Sequence, residues 1–192
     1  TYTRKRMKQL EELVVAGFGG QGVLSLGMTL AYAGMIDGKE ISWMPSYGPE
    51  MRGGTANCIT ILSDTRISSP IISKFDSAII LNQPSMDKFA ERVKPGGLLL
   101  YESGNIFKPS TRTDIQIIGI PATTEATRLK NNKIMNMIML GAYLQLRPVV
   151  KTEAVVEALK EVLPEKYHHL LELNREALEL GKKLIQEAEL VG

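Results

Sequence analysis

Hydrophobic residues in the first two thirds of the chain fall into short runs, and those in the last third follow a helical spacing. Residues 13–16 form a compact apolar run that ends at a glycine, which is typical of a buried strand. Similar runs bounded by turn residues predict further strands at 41–45, 78–81, 98–101 and 115–119. These runs predict a β-sheet buried on both faces.

The spacing between these runs predicts helices and one hairpin. Helices are expected at 23–36, closed by Asp37 and Gly38, and at 84–93, with Pro84 near its start. Strand, helix and strand over 13–45 make a βαβ unit of about 30 residues, which implies a right-handed crossover and two parallel strands. Residues 55–62, a turn at 63–64 and a returning strand at 65–67 predict a hairpin, so we expect a mixed sheet.

From residue 121 onward the pattern is helical. Residues 134–146 are apolar almost all round, which places that helix in the interior. Thr152 is the expected N-cap of the next helix. In the final segment, 165–188, one apolar stripe either packs on the domain or receives a partner helix; its residues are Leu170, Leu171, Leu178 and Ile185.

Composition, charge and the cysteine count exclude several classes of protein. A net charge of +2 and one basic cluster near the start do not favour nucleic-acid binding, and a solvated N-terminus explains that cluster. No apolar run reaches the ~18 residues of a membrane helix, and no signal-peptide core follows the basic start. Cys58 is the only cysteine, so the cytoplasm is the expected location.

The same cysteine count bears on metals. An iron–sulfur cluster takes four thiolates, and structural zinc needs a set of Cys and His ligands. The sequence offers Cys58 with two adjacent histidines, His168 and His169, so we expect no metal site. No nucleophilic triad or carboxylate pair is visible either, and no catalytic residue is assigned.

A glycine-rich loop follows the first predicted strand. Gly17, Gly19 and Gly22 match the G-x-G-x-x-G spacing, with Gly20 and Gln21 between them. Such glycines permit a tight turn and let backbone N–H groups approach a phosphate at a helix N-terminus. We therefore predict a phosphate or nucleotide contact; the alternative is that the glycines only allow close packing of helix and strand.

The rest of the dinucleotide fingerprint is missing. It requires an acidic residue about 20 positions on, at the end of the second strand, to hold the ribose. Asp37 precedes that strand and Glu40 begins it, whereas its end offers no acid. Ordinary NAD binding is therefore disfavoured.

A second loop, at 46–54, has no periodicity and follows the second strand. If the two strands are neighbours in a parallel sheet, both loops border one ligand crevice. Arg52 suits a phosphate or carboxylate clamp, and the alternative is an Arg52–Glu50 surface pair. The candidate residues are Ser46, Tyr47, Gly48, Pro49, Glu50, Arg52, Gly53 and Gly54.

Together these features predict one α/β domain over residues 1–192, with a helical C-terminal segment at about 121–192. The expected architecture is a three-layer α/β/α, Rossmann-like fold with a mostly parallel, mixed sheet. A chain of 192 residues suits one well-buried core.

The two loops also carry a family resemblance. Gly-Phe-Gly-Gly-Gln-Gly at 17–22 and Ser-Tyr-Gly-Pro-Glu-Met-Arg-Gly-Gly at 46–54 resemble the gamma subunit of 2-oxoacid:ferredoxin oxidoreductases. The turn at 94–97 and the stretch 136–141 are similar to that family too. The second loop looks closest to 2-oxoglutarate enzymes, then to pyruvate and branched-chain 2-oxoacid enzymes.

The resemblance implies oxidative decarboxylation of a 2-oxoacid to an acyl-coenzyme A, with ferredoxin as electron acceptor. It implies alpha and beta, and in some complexes delta, partner subunits that hold thiamine diphosphate and iron–sulfur clusters. The chain lacks a thiamine motif, which fits the gamma role. The two loops would then shape the coenzyme A side of a shared active site. The alternatives are a free-standing nucleotide-binding oxidoreductase and a subunit whose loops only dock against a partner.

Overall fold

A computed structural model describes residues 8–46 and 55–191, which form alternating strands and helices followed by a helical segment. The strands are β1 Leu10–Phe18, β2 Glu40–Ser46, β3 Thr55–Ser63, β4 Phe75–Ile80, β5 Val93–Glu102 and β6 Gln116–Ile120. The α-helices are α1 Val23–Ile36, α2 Gln83–Phe89, α3 Ala122–Arg128, α4 Met135–Leu146, α5 Thr152–Val162 and α6 Leu171–Val191. Short 3-10 turns occupy Ala90–Arg92, Asn132–Ile134 and Glu165–Leu170.

The described strands form one six-stranded sheet in the order β2-β3-β1-β4-β5-β6. The pairs β1–β4, β4–β5 and β5–β6 are parallel, whereas β3 runs antiparallel to both β1 and β2. The prediction of a mostly parallel, mixed sheet is therefore confirmed. Its predicted cause was wrong, because residues 65–67 form no returning strand and β3 itself is the antiparallel member.

The βαβ unit over β1, α1 and β2 also differs from its prediction in one respect. Its strands run in the same direction, as expected, but β3 lies between them and pairs with each. A dinucleotide-binding unit of the standard order has its second strand beside the first. Here the inserted β3 separates the two strands by the width of one strand.

Strand alternation divides the core between the two faces of the sheet. Leu13 and Val15 of β1 lie on the face covered by α1, α3, α4, α5 and α6. Val14 and Ala16 lie on the opposite face, against Phe89 of α2 and its neighbours. Because successive side chains of a strand point to opposite faces, fully apolar strands are buried from both sides. The three-layer arrangement follows from this pattern.

Helix α4 lies in the interior, as its uniformly apolar sequence predicts. Its residues from Met135 to Leu144 are all buried, and α6 crosses it at close range. A Cβ on Gly141 would lie 2.0 Å from the Leu178 carbonyl oxygen, and one on Gly181 would lie 2.0 Å from that of Ile138. Two glycines therefore allow the two backbones to touch. Leu178 and Ile185 of the predicted stripe are buried here, so the stripe packs on the domain.

Two local predictions need correction. Thr152 is not the N-cap of α5: Lys151 holds that position, and its backbone N–H donates to Asp37 Oδ2 at 2.9 Å. The predicted helix at 84–93 ends as an α-helix at Phe89, since residues 90–92 form a 3-10 turn and Val93 begins β5. The first correction arises from a contact between residues distant in sequence. The second arises from the tightening to a 3-10 turn that is common at helix ends.

Candidate ligand-binding edge of the sheet

The glycine loop joins the carboxyl end of β1 to α1, where the motif predicted it. The backbone N–H of Gln21 donates to the Phe18 carbonyl at 3.2 Å and closes a tight turn. Gly20 and Gly22 have φ values of 90° and 76°, a region that glycine enters without a Cβ penalty. Phe18, Gly19 and Gly20 are exposed, whereas Gly17 is buried in the sheet. The loop therefore presents its middle to solvent.

The N-terminus of α1 opens into this loop without a side-chain cap. Gly22 is the N-cap residue, and the first backbone bond of the helix runs from Leu26 N–H to its carbonyl at 2.9 Å. The first N–H groups of a helix have no partner within the helix and carry partial positive charge. The first turn of α1 and the loop line a cavity of about 340 Å³, whose described lining residues are Phe18, Gly19, Gly20, Gly22, Val23, Leu24, Ser25 and Ala56. This arrangement suits an anionic group.

Gln21 ties the loop to the neighbouring strand. Its Oε1 accepts a bond from Phe18 N–H at 2.6 Å, and its Nε2 donates to the Leu81 carbonyl at 3.2 Å. Leu81 N–H in turn donates to the Ala16 carbonyl at 2.8 Å, so the ends of β1 and β4 are joined. Both ends of the Gln21 amide contact backbone in this structure. That Gln21 also touches a phosphate stays a prediction.

Asn136 of α4 supports the same loop, which sequence reasoning did not reveal. Its Nδ2 donates to the Gly22 carbonyl at 3.2 Å and to Ser25 Oγ at 3.3 Å. A Cβ on Gly22 would lie 2.4 Å from that Nδ2 atom, so the fit requires glycine. The available signal was a polar amide within the apolar first turns of α4, because a buried polar group needs a partner.

The two ends of the second loop reach the same edge of the sheet. Ser46, the last residue of β2, pairs with Asn57, and Thr55, the first residue of β3, pairs with Phe18. The prediction that the two loops leave neighbouring strands was wrong, because β3 intervenes. Outside the described residues lie Tyr47, Gly48, Pro49, Glu50, Arg52, Gly53 and Gly54, and their roles stay predictions.

The described carboxylates near this unit are Asp37, Glu40 and Glu102, and each has another position or partner than the ribose carboxylate of a dinucleotide site. Asp37 binds the backbone of Lys151 at the opposite edge of the sheet, and Glu40 starts β2 at that same edge. At the carboxyl edge, Glu102 ends β5 fully buried, and its Oε1 accepts bonds from Gly104 N–H and Thr123 N–H, each 3.1 Å. Glu102 therefore fastens β5 to the start of α3.

Cys58 lies in the core beneath α1. Its Sγ donates to the Val23 carbonyl at 3.6 Å, and burial raises the pKa of the thiol to about 12. The thiol therefore stays protonated and is a poor metal ligand or nucleophile. Within residues 8–46 and 55–191, no three His, Cys, Asp or Glu side chains gather as a metal site requires. None of the helices described there is long and apolar enough to cross a membrane.

The described residues form a three-layer α/β unit with a glycine loop before an uncapped helix, and none of the carboxylates among them takes the ribose position of dinucleotide oxidoreductases. Sequence comparison then gives the family. The family described as pyruvate ferredoxin/flavodoxin oxidoreductase matches residues 12–184. The chain belongs to this family, as the resemblance of its two loops predicted.

Relatives and solved structures agree with that assignment. The chain is 38% identical over 174 residues to ketoisovalerate oxidoreductase subunit VorA of Methanothermobacter thermautotrophicus, covering 90% of this chain and 36% of the relative. It thus spans about a third of that relative's length.

Among solved structures, the gamma subunit of a keto/oxoacid ferredoxin oxidoreductase from Geobacter sulfurreducens matches with a TM-score of 0.81 and 31% identity, covering 94% of this chain and 98% of that one. A 2-oxoglutarate:ferredoxin oxidoreductase from Magnetococcus marinus, with 2-oxoglutarate, coenzyme A and succinyl-CoA bound, matches with a TM-score of 0.85 and 26% identity. The match covers 93% of this chain and 31% of that one.

Proposed function

We propose that this chain acts as the gamma subunit, or the equivalent domain, of a 2-oxoacid:ferredoxin oxidoreductase. The complex would convert a 2-oxoacid and coenzyme A to an acyl-coenzyme A and carbon dioxide, and ferredoxin would accept the electrons. Family membership and the likeness to the Geobacter gamma subunit support this role. Thiamine diphosphate supplies the carbanion chemistry when bound to a partner subunit, and iron–sulfur clusters in partners carry the electrons.

Within that complex, this chain shapes the coenzyme A side of the active site. The observation that carries this assignment is the uncapped N-terminus of α1, which opens with Gly19 and Gly20 onto a cavity of about 340 Å³. Coenzyme A bears phosphates, and backbone N–H groups at a helix N-terminus bind phosphate. Gly17, Gly19, Gly20, Gln21 and Gly22 hold these donors in place.

The second loop completes that edge in the proposal. Tyr47, Glu50 and Arg52 would face the thiamine-bearing subunit or the incoming thioester partner, with Ser46 and Thr55 as the fixed ends of the loop. Glycines and a proline at 48, 49, 53 and 54 would leave room for a close neighbour. A charged Arg52 would bind a phosphate or carboxylate through parallel hydrogen bonds.

For the substrate we propose 2-oxoglutarate ahead of pyruvate and 2-oxoisovalerate. The sequence of the second loop supports this choice, whereas the 38% identity to VorA supports 2-oxoisovalerate as the alternative, so the experiment includes both acids. The experiment is anaerobic affinity purification of the tagged chain from its host, followed by dye reduction with each acid, with and without coenzyme A. Co-purified thiamine and cluster subunits with coenzyme A-dependent activity would support the proposal. A chain that emerges alone and inactive would refute it.

A matched pair of variants tests the coenzyme A contact. A Cβ on Gly20 meets no atom within 4 Å, and both Asp and Asn tolerate a positive φ. Gly20→Asp places a negative charge at the mouth of the cavity, whereas Gly20→Asn has the same shape without the charge. We expect Gly20→Asp to raise the KM for coenzyme A about tenfold relative to Gly20→Asn, which corresponds to about 1.4 kcal/mol.

Three outcomes distinguish coenzyme A binding by the glycine loop from a role of the loop in docking. If both variants assemble and only Gly20→Asp weakens coenzyme A, the loop lies close to the phosphates. If both variants assemble and their KM values for coenzyme A are equal, the coenzyme A assignment fails while the subunit role stands. If neither assembles, the loop serves docking alone.

A further inference from the structure

A second cavity lies between α1, the 3-10 turn Asn132–Ile134 and the connection from α5 to α6. Its volume is about 340 Å³. The described lining residues are mostly apolar, among them Met28, Ile134 and Leu163, and Tyr167 adds an aromatic ring. We call this space the Tyr167 cavity. An apolar cavity of about 300–1,000 Å³ with a few polar groups is the usual form of a small-molecule site.

Two asparagine amides that line the Tyr167 cavity are each half used. Asn131 Oδ1 accepts a bond from Lys133 N–H at 3.1 Å, and Asn174 Nδ2 donates to the Leu170 carbonyl at 2.8 Å. These bonds fix the orientation of both amides. Within the described part of the chain, Asn131 Nδ2 and Asn174 Oδ1 have no hydrogen-bond partner.

The free oxygen of Asn174 is the more informative of the two atoms. Asn174 is only 8% exposed, and side chains this deeply buried normally have their polar atoms paired. Helix α6 packs against the turn Asn132–Ile134, which brings Asn174 and Asn131 to the same cavity. The cavity therefore offers one donor and one acceptor to a ligand.

The charge at the Tyr167 cavity is positive. Lys133 is the one charged residue among the described lining residues, and its Nζ lies 6.0 Å from the centroid of the Tyr167 ring. The Nζ of Lys166 lies 5.0 Å from the same centroid. Neither ammonium group has an ion-pair partner among the residues that the structure describes. Such groups beside an open cavity attract an anion.

We propose that the Tyr167 cavity binds an adenine nucleotide, with the base against the Tyr167 ring and a phosphate at Lys133. Adenine presents an amino donor beside a ring-nitrogen acceptor, which complements Asn174 Oδ1 and Asn131 Nδ2. Bases stack on aromatic rings, and ammonium groups form charge-assisted hydrogen bonds with phosphate. An acyl chain would leave both amides unpaired, and a sugar phosphate would not use the apolar wall.

The assignment of this nucleotide to coenzyme A rests on the proposed function, whereas nucleotide binding by the cavity does not. One end of coenzyme A is a 3′-phosphorylated adenosine with a 5′-diphosphate. Ser25 lines both the Tyr167 cavity and the cavity beside the glycine loop, so the two spaces meet there. Met28 lies three residues further along α1, about 4.5 Å at 1.5 Å per residue. A diphosphate at the start of α1 would then leave the adenosine at Tyr167 and the 3′-phosphate at Lys133.

The first test measures nucleotide binding by equilibrium dialysis of the tagged full chain, together with any subunits that accompany it. The probe is adenosine 5′-diphosphate. Tyr167→Leu removes the ring but keeps an apolar side chain, and Tyr32→Leu makes the same change at a tyrosine that is 38% exposed and is not among the described lining residues. We expect Tyr167→Leu to bind the probe about tenfold more weakly than Tyr32→Leu, because base stacking is lost. Equal affinities, or no saturable binding by the wild type, would overturn the proposal.

Inosine 5′-diphosphate tests the hydrogen bonds to the base. Its ring carries an oxygen where adenine has the amino group, so it would face Asn174 Oδ1 without a donor. We expect the wild-type chain to bind it about fivefold or more weakly than adenosine 5′-diphosphate, since a buried acceptor is left unpaired. Equal binding of the two probes would contradict the adenine assignment.

The second test asks whether the nucleotide belongs to coenzyme A. In the assembled complex, KM is measured for coenzyme A and for 3′-dephospho-coenzyme A, which lacks only that phosphate. We expect the wild type to show a KM about tenfold higher for the dephospho form, and Lys133→Gln to reduce this ratio to about two. Lys183→Gln is the control, at a side chain that is 69% exposed on α6, and it should keep the wild-type ratio.

The outcomes of the two tests identify which claim fails. If the ratio is the same in Lys133→Gln and the wild type, coenzyme A is not the source of the nucleotide. Binding that still depends on Tyr167 would then assign the cavity to a free adenine nucleotide. If the complex shows no coenzyme A-dependent activity while binding depends on Tyr167, the proposed function fails and the nucleotide site stands.

Discussion

The two edges of the sheet are built from different chemical groups. At the amino edge, charged side chains bind one another: Lys94 Nζ contacts Glu12 Oε1 at 2.7 Å and Asp76 Oδ1 at 3.1 Å. Asp76 Oδ2 also accepts from the backbone N–H of Glu12 at 2.8 Å. At the carboxyl edge, the cavity beside the glycine loop is lined by the loop and the first turn of α1, and among the described lining residues Ser25 is the one with a polar side chain.

A buried carboxylate makes the contrast stronger. Glu11 at the amino edge is only 6% exposed and accepts a hydrogen bond from Ser77 Oγ. Burial raises the pKa of Glu11; the Ser77 bond and the charge of Arg147 lower it, and the nearby Asp76 raises it further. The hydroxyl of Tyr143 is also fully buried close by, with its own pKa raised by burial and by Glu11.

Side-chain ion pairs join the strands at the amino edge, so a change there is expected to alter the free energy of unfolding. At the carboxyl edge the N-terminus of α1 has no side-chain cap, which suits the proposed ligand, and glycine shapes the loop in place of side chains. Three variants and one control test this difference between the edges.

The largest effect is expected at Gly22, where the open edge depends on one close fit. Gly22→Ala adds a Cβ at a φ of 76° and displaces the Asn136 side chain from its bonds to Gly22 and Ser25. We expect the free energy of unfolding to fall by about 2–4 kcal/mol, from the left-handed backbone and the overpacking. Urea unfolding of the purified chain measures it.

Gly20→Ala is the matched control for that change. Gly20 has a φ of 90°, but a Cβ there meets open space. We expect a loss of about 1 kcal/mol, from the backbone alone. Equal losses at the two positions would show that the Asn136 contact does not shape the loop.

An intermediate effect is expected from Glu11→Gln, and it should depend on pH. Because the folded-state pKa of Glu11 is raised above its ordinary value of 4.5, the stability it contributes is full below that value and is lost as pH rises through the folded pKa. The variant cannot ionise, so at neutral pH it should be more stable than the wild type by about 1 kcal/mol.

Denaturant unfolding of both proteins from pH 4 to pH 8 measures this difference. The gain should shrink toward low pH, where the wild-type carboxyl is protonated as well. A difference that stays constant over the range would mean that Glu11 keeps its charge state on folding, with Arg147 compensating for burial.

The smallest effect is expected at Lys94, whose side chain is 38% exposed. Lys94→Ala removes its bonds to Glu12 and Asp76, and half-exposed ion pairs of this kind contribute about 0.5–1 kcal/mol. Thermal unfolding at low and high salt measures the loss, which should be smaller at high salt. A loss beyond about 2 kcal/mol would contradict the view that the pairs are surface-screened.

Much of the fold was predictable because its signals are local. The apolar runs at 13–16, 78–81 and 98–101 became the central strands β1, β4 and β5, and helix α1 has the predicted bounds. The pairing of the strands was predicted wrongly. Residues 65–67 form no strand, and β3 inserts between β1 and β2. Pairing joins residues far apart in the chain, and a run of β-formers does not specify its neighbour.

The candidate site was predictable to the same extent. The glycine spacing gave the loop, its place at the carboxyl end of a strand and the helix that follows. It did not predict the hydrogen bond from Asn136, which lies 114 residues from Gly22. Nor did it predict that both the oxygen and the nitrogen of the Gln21 amide bond to backbone groups. The start of α5 is a similar case. Thr152 was predicted to cap it, but the backbone N–H of Lys151 donates to Asp37, which is also 114 residues away.

From the sequence alone we could predict the central strands β1, β4 and β5, helix α1, the glycine loop and the resemblance to the family, but not the absence of a strand at 65–67. Those properties depend on local periodicity, on backbone freedom at glycine and on short motifs. Only the folded structure revealed that β3 separates β1 and β2 and that Asn136 holds Gly22. Each of these depends on which distant residues meet, because burial and hydrogen bonding are satisfied only in the folded chain.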